Sequence, residues 1–295
     1  MDEKTVPASD AAPPLPEVAG FTHRFVDTRG LRTHVAEVGE GEPVVMLHGF
    51  PQHWWQWRII GPALAARYRV ICPDLRGSGW TRAATTRIER LSMRDDLLGL
   101  MDVMGLDRVR IVAHDMGGLP AAQMAYAAPD RVRAMIVLSV PPPFMRLTPA
   151  MLPAMRHVPK LRFHRAGRSL AYLFRPPYIA VPMSAATVET YLAPHRDPAI
   201  DAAVREVYRG LIGGEAPRLV TGAYRKERLR VPSLYAFSVE DHPLTAPFVR
   251  RHCADVSRYA DHLEIASVEG AAHFMTDDNP RAVEELALDF FARVG

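Results

Sequence analysis

Three residues have the types and the chain order for a nucleophile, an orienting acid and a general base: Asp115, Asp241 and His273. Asp115 lies in Val109-Arg110-Ile111-Val112-Ala113-His114-Asp115-Met116-Gly117-Gly118, a short β-branched run that empties into paired glycines ahead of a helical pattern from Leu119 to Ala128. A strand-to-helix turn that tight thrusts its apex residue out of the sheet with the side chain exposed. The flanking residues must be small, because the turn packs strand against helix and strains the apex backbone. Taken alone, Asp115 also fits a helix N-cap, since aspartate accepts from the first free N–H groups of a helix. A carboxylate at such an apex is suited to in-line displacement at saturated carbon, which makes an ester between itself and the substrate. Water activated by His273 would then attack the Asp115 carbonyl, with Asp241 orienting the imidazole and stabilising its charged form. Asp241 also fits a turn or cap residue, Glu240 beside it competes for the acid's place, and His273 is one of 12 histidines. Their joint placement is what argues against coincidence.

That chemistry needs donors for an oxyanion. The apolar run Pro43 to Leu47 ends in His48-Gly49-Phe50-Pro51, where Gly49 allows a sharp bend and Pro51 fixes the exit direction. The backbone N–H groups of Phe50 and Met116 are therefore the candidate oxyanion hole. Phe50 and Trp54 are candidate substrate contacts, although core packing is the readier reading for Trp54 and Trp57.

The elements that must position these residues alternate. A hairpin pattern over 21–38 is followed by buried-strand runs at 43–47 and 68–74 and further strand patterns at 109–114, 132–140, 231–238 and 262–268, with helical patterns between them and a closing helix at 280–293. This predicts an α/β fold with a mostly parallel sheet and helices on both faces. Asp115, Asp241 and His273 then fall at the carboxyl ends of strands, the edge where ligands bind in open sheets. After Pro141-Pro142-Pro143 the strand patterns stop and short helical ones take over. Residues 141–228 are expected to form a helical lid inserted into a core of 21–140 and 229–295, and the Pro- and Ala-rich stretch 1–20 a disordered lead. From Pro141 to Ala180 the lid carries seven basic residues and no acid. A solvated face is the expectation there, in preference to an anion-attracting mouth.

The 295 residues, 48% of them hydrophobic, suffice for one large core. A net charge of +3, with both signs mixed along the chain, does not suggest a nucleic-acid partner. Cys72 and Cys253 are far apart, so neither a disulfide framework nor a zinc site is indicated, and no metal or cofactor is expected. Without signal-peptide order or an apolar run near ~18 residues, the expectation is a cytoplasmic protein with no membrane association, a monomer or a homodimer.

The segments His48-Gly49-Phe50-Pro51-Gln52 with Trp54 to Trp57, Pro73-Asp74-Leu75-Arg76-Gly77-Ser78-Gly79 and His114-Asp115-Met116-Gly117-Gly118 resemble the signatures of α/β-hydrolase-fold epoxide hydrolases. The likeness runs from about Phe21 to the C-terminus and is weakest in the lid. It implies an eight-stranded sheet with an inserted lid, a small, largely apolar epoxide as substrate, and conversion to a vicinal diol. It also implies two lid tyrosines that donate to the epoxide oxygen. Tyr208, in Tyr208-Arg209, matches the second; Tyr172 is the nearest match to the first, displaced by a residue or two, with Tyr178 as fallback. Haloalkane and haloacetate dehalogenases share the aspartate. Met116 and Leu119, however, stand where such relatives often place a tryptophan or a carboxylate-clamping arginine. A non-catalytic ligand-binding member of the fold would have no need to keep all three of Asp115, Asp241 and His273.

Overall fold

A computed structural model describes residues 12–253 and 255–295. The strands are β1 (Thr22–Thr28), β2 (Leu31–Val38), β3 (Glu42–Leu47), β4 (Tyr68–Pro73), the two-residue β5 (Arg82–Ala83), β6 (Val109–His114), β7 (Val132–Leu138), β8 (Ser233–Ser238) and β9 (Leu263–Val268). They form one sheet in the order β1-β2-β4-β3-β6-β7-β8-β9, with β5 beside β2. The β1–β2 and β2–β4 pairs are antiparallel, and every pair from β4 through β3, β6, β7 and β8 to β9 is parallel. The central strands β6 and β8 are buried along their whole length, which explains why their apolar residues run continuously instead of alternating.

Helices α1 (Ile60–Leu64) and α11 (Pro280–Arg293) cover one face of the sheet. On the other face pack α2 (Ser92–Val103), α3 (Gly118–Ala127) and a later helix over Ala246–His252. Between β7 and β8 the described residues contain no strand. This region holds α4 (Val158–Arg162), α5 (Ala185–Leu192), α6 (Pro198–Glu206) and α7 (Gly213–Thr221), so Ala246–His252 becomes α8, followed by α9 (Val256–Tyr259) and α10 (Met275–Asp278). In this region α6 runs into a π-helical turn, Val207–Ile212, that leads to α7. That turn lies hard against the core, since a Cβ on Gly210 would fall 1.5 Å from the Ile88 carbonyl oxygen.

Two consecutive aspartates in α10 fasten the inserted region to the core. Asp277 accepts from Gln52 (2.7 Å), Arg58 (2.8 Å) and the Tyr191 hydroxyl of α5 (2.9 Å). Asp278 accepts from the N–H groups of Ala180 (3.0 Å) and Val181 (2.9 Å) in the lid and of Ala272 (2.9 Å) in the core.

Of the stretch expected to be a disordered lead, residues 1–11 lie outside the described residues. Residues 12–20 correct the expectation: Leu15 and Val18 pack on the core beside α1 and α11, and the Pro13 carbonyl accepts from the Trp80 indole N–H (2.6 Å). Apolar side chains and a backbone acceptor give this proline-rich stretch enough contacts to be ordered. Among the described residues no helix is long and apolar enough to cross a membrane.

Candidate active site

β6 delivers Asp115 to the carboxyl edge of the sheet, and the backbone there turns through a single 3-10 turn, Asp115–Gly117, into α3. Asp115 has φ +45°, a region a residue with a Cβ enters only when its surroundings over-determine it. Those surroundings are tight, since a Cβ on Gly117 would lie 2.6 Å from the Leu47 carbonyl oxygen. Ala113 is fully buried, so its methyl fits where the motif usually has glycine. The carboxylate does not cap α3. One oxygen accepts from Phe50 N–H (3.0 Å) and the other lies 3.5 Å from Nε2 of His273.

The loop after β9 brings His273 over Asp115, and the loop after β8 brings Asp241 behind it. Nδ1 of His273 lies 2.9 Å from Oδ2 of Asp241, whereas Glu240 is exposed. The three residues read from the sequence thus form one line, carboxylate to imidazole to carboxylate. Burial disfavours charge on His273, but the two flanking carboxylates outweigh it and raise its pKa well above that of a free imidazole. Burial likewise opposes ionisation of Asp115, yet the His273 hydrogen bond and charge, His114 and the Phe50 N–H hold its carboxyl well below the usual carboxylate range. The resting arrangement is an imidazolium between two carboxylates. His114, directly behind, is pushed down to about 4 by burial and is neutral.

The Phe50 N–H is aimed by the residues around it. His48 Nδ1 donates to the Gly49 carbonyl (2.8 Å), leaving Nε2 to accept from Leu75 N–H (2.9 Å), and Gln56 accepts from Gly49 N–H (2.9 Å). Asp74 accepts from Trp54 N–H (2.8 Å) and Trp80 N–H (3.0 Å), tying the 48–57 and 73–80 segments together. The side chain of Met116 is buried beside Asp115, but its N–H makes no bond to the Asp115 carboxylate, so one of the two expected donors is engaged. Trp54 is not part of the site. It is fully buried, its ring packed against Phe21 and His23.

The inserted region roofs Asp115. Tyr208, on the π-helical turn, is buried with its ring edge-on to Phe50 (5.5 Å between centroids). Burial and the Asp115 charge push its phenol well above the ordinary range, so it holds its proton. Tyr178 faces His273 (6.5 Å), and its hydroxyl accepts from Arg156 Nε (3.3 Å). Tyr172, the residue chosen from sequence, makes no ring contact with the triad. Its hydroxyl is buried without a partner, and burial, then Tyr178, push its pKa up to about 12. Sequence reasoning missed His157. Its ring stands between Tyr178 (6.0 Å) and Tyr208 (6.2 Å), its Nδ1 is buried without a partner, and burial lowers its pKa despite the nearby Asp115 charge. No local motif marks it, because a lone histidine in a proline-rich lid has no spacing to betray its direction.

The arrangement therefore gathers a carboxylate, an imidazole, a backbone N–H donor and the Tyr208 phenol about Asp115. Residues 42–174 match the model of the α/β-hydrolase fold. The chain has the α/β-hydrolase fold. Along nearly its whole length the chain is similar to the soluble epoxide hydrolase of Corynebacterium sp. (strain C12), 27% identical over 92% of this chain and 98% of that one. It also superposes on the solved structure of the epoxide hydrolase CorEH with a TM-score of 0.77, at 26% identity over 93% of this chain and 100% of that one. A shorter match, 34% identical over 43% of each chain, joins it to a fluoroacetate dehalogenase of Burkholderia sp..

Proposed function

We propose that this enzyme converts an epoxide to a vicinal diol through an ester on Asp115. The observation that carries this reading is the Asp115 carboxylate, held ionised under a roof of protonated donors. Asp115 attacks an oxirane carbon in line with the breaking C–O bond. Tyr208 protonates the oxygen that stays on the substrate, which would otherwise form as a strongly basic alkoxide. Esterification removes one of the two negative charges that keep His273 protonated. The imidazolium proton then replaces the one given up by the phenol, and His273 is left neutral when a base is needed. It takes a proton from water, the hydroxide adds to the Asp115 carbonyl carbon, and the N–H groups of Phe50 and Met116 hold the oxyanion. Collapse returns the Asp115 carboxylate, the diol and the protonated His273.

The Burkholderia relative keeps the dehalogenase alternative in view. A halide leaves as a weak base and needs no proton, so a roof of proton donors favours an oxygen leaving group. A single turnover in heavy-oxygen water with enzyme in excess should put light oxygen from Asp115 into the diol and heavy oxygen into the protein. Heavy oxygen appearing directly in the diol would mean attack by water and sink the ester mechanism. Halide release from haloalkanes without diol from any epoxide would replace the substrate class.

A further inference from the structure

Both ends of the inserted region meet the core at a cavity of about 380 Å³, and arginines from three separate segments converge on it. Arg146 lies on the chain entering the region, Arg225 on the 3-10 turn Ala223–Lys226 leading out of it, and Arg251 near the end of α8 in the core. Gly222, at φ +69°, makes room for the Arg225 guanidinium, since a Cβ there would fall 2.0 Å from Nη2. Among the described residues none of these three side chains has an ion-pair or hydrogen-bond partner. Asp261 is paired with Arg228, Glu227 is exposed and does not line the cavity, and the one acid among the lining residues is Asp255. The Thr148 hydroxyl on the same wall is buried without a partner, and His252 donates through Nδ1 to the Phe248 carbonyl (2.9 Å). The stacked rings of Phe144 and Tyr259 (5.3 Å between centroids) supply an apolar part of the wall.

We infer that this cavity binds a phosphate dianion, free or carried by a small organic molecule, and that the bound group ties both ends of the inserted region to α8. None of its lining residues is one of those gathered about Asp115, so the site is a second one. Three guanidinium groups against one carboxylate leave a surplus of positive charge that matches a phosphate, which carries about −1.5 to −2 near pH 7 and three acceptor oxygens. A lone carboxylate brings less charge and fewer acceptors. Each guanidinium offers a planar fork for phosphate oxygens, and the dianion removes the mutual repulsion of the three cations. The volume falls within the ~300–1,000 Å³ of small-molecule sites, which leaves space for an organic group beside the aromatic pair.

The test is calorimetric titration of the full chain with inorganic phosphate and with phenyl phosphate, against sodium chloride matched for ionic strength. Phosphate should bind one-to-one and raise the Tm, and sodium chloride should do neither. Arg146→Gln together with Arg251→Gln, both exposed side chains, should weaken binding by about 10-fold or more. Asp255→Asn removes the opposing charge and should tighten it roughly 2-fold to 5-fold. Bound phosphate should slow amide exchange at 144–148 and 223–226 together. Tighter binding of phenyl phosphate would identify an organic phosphate as the ligand, and equal affinities phosphate alone. A heat and a Tm shift that sodium chloride reproduces, or an affinity unchanged in the double variant, would overturn the site. Binding that protects only one of the two segments would overturn the tie.

Discussion

At the residue scale, Tyr208 and His273 serve different halves of the proposed reaction, so their removal should fail at different steps. Tyr208→Phe deletes one donor and keeps the ring against Phe50, so ester formation should slow by roughly 10-fold to 10³-fold, the range for one lost transition-state donor. His273→Gln should still be alkylated and then stall, since a missing general base costs roughly 10² to 10⁴ in rate. Intact-protein mass after mixing with an epoxide should show an added substrate mass that persists in His273→Gln and builds slowly in Tyr208→Phe. Equal alkylation rates in Tyr208→Phe and the parent would take that phenol out of the site. The placement of Asp115, Asp241 and His273 at one edge of the sheet was legible because each follows a strand pattern in a fixed order, so pattern alone located their backbones. His157 and the relation between Tyr172 and Tyr178 were not. Side-chain direction in the lid is set by packing across elements, and Trp54 shows the same limit in the core, where its ring packs against Phe21 and His23.

At the element scale, the π-helical turn Val207–Ile212 holds the roof at its height above Asp115. Its approach to the core depends on Gly210, because any Cβ there would overlap the Ile88 carbonyl oxygen, a backbone atom that cannot rotate aside. Gly210→Ala should lift this turn and Tyr208 with it. A methyl forced into a packed contact costs typically ~1–3 kcal/mol, and a displacement near 1 Å at a reacting group can cost about 10²-fold. The expected outcome is a large loss in the rate of ester formation with a lowered Tm and preserved far-ultraviolet circular dichroism. Unchanged alkylation would show that the turn can relax without moving the phenol. The mostly parallel sheet was readable because continuous apolar runs admit few alternatives. The π turn between α6 and α7 was not, since no local pattern marks a turn that lies against Ile88, over a hundred positions away in the chain.

At the scale of the whole molecule, stability should depend on pH through buried imidazoles. Burial holds His53 and His114 at about 4 against an ordinary 6.5, and lowers His48 as well. A depressed histidine leaves stability complete above pH 6.5 and removes it as pH falls toward 4, because the unfolded chain binds the proton first. For the two fully enclosed rings this is on the order of 3 kcal/mol each. Asp74, held down to about 2 chiefly by His34 against the opposing effect of burial, adds a loss that begins only below the ordinary carboxylate range. His273 has the opposite sign, contributing below pH 6.5 and fading as pH rises through its elevated value. The Tm should therefore fall steadily between pH 6.5 and 4, measurable by scanning fluorimetry in matched buffers, and a flat Tm over that interval would refute the neutral-histidine account. The bonds from Asp277 and Asp278 have a last consequence, which concerns time. Asp278 grips both the lid at Ala180 and Val181 and the core at Ala272, next to His273. His273 is held from the core as well, by Asp241 at its ring and by Ser139 and His114 at its carbonyl. In the proposed reaction the latch thus sets how long an ester on Asp115 stays roofed, while the base keeps its own anchors.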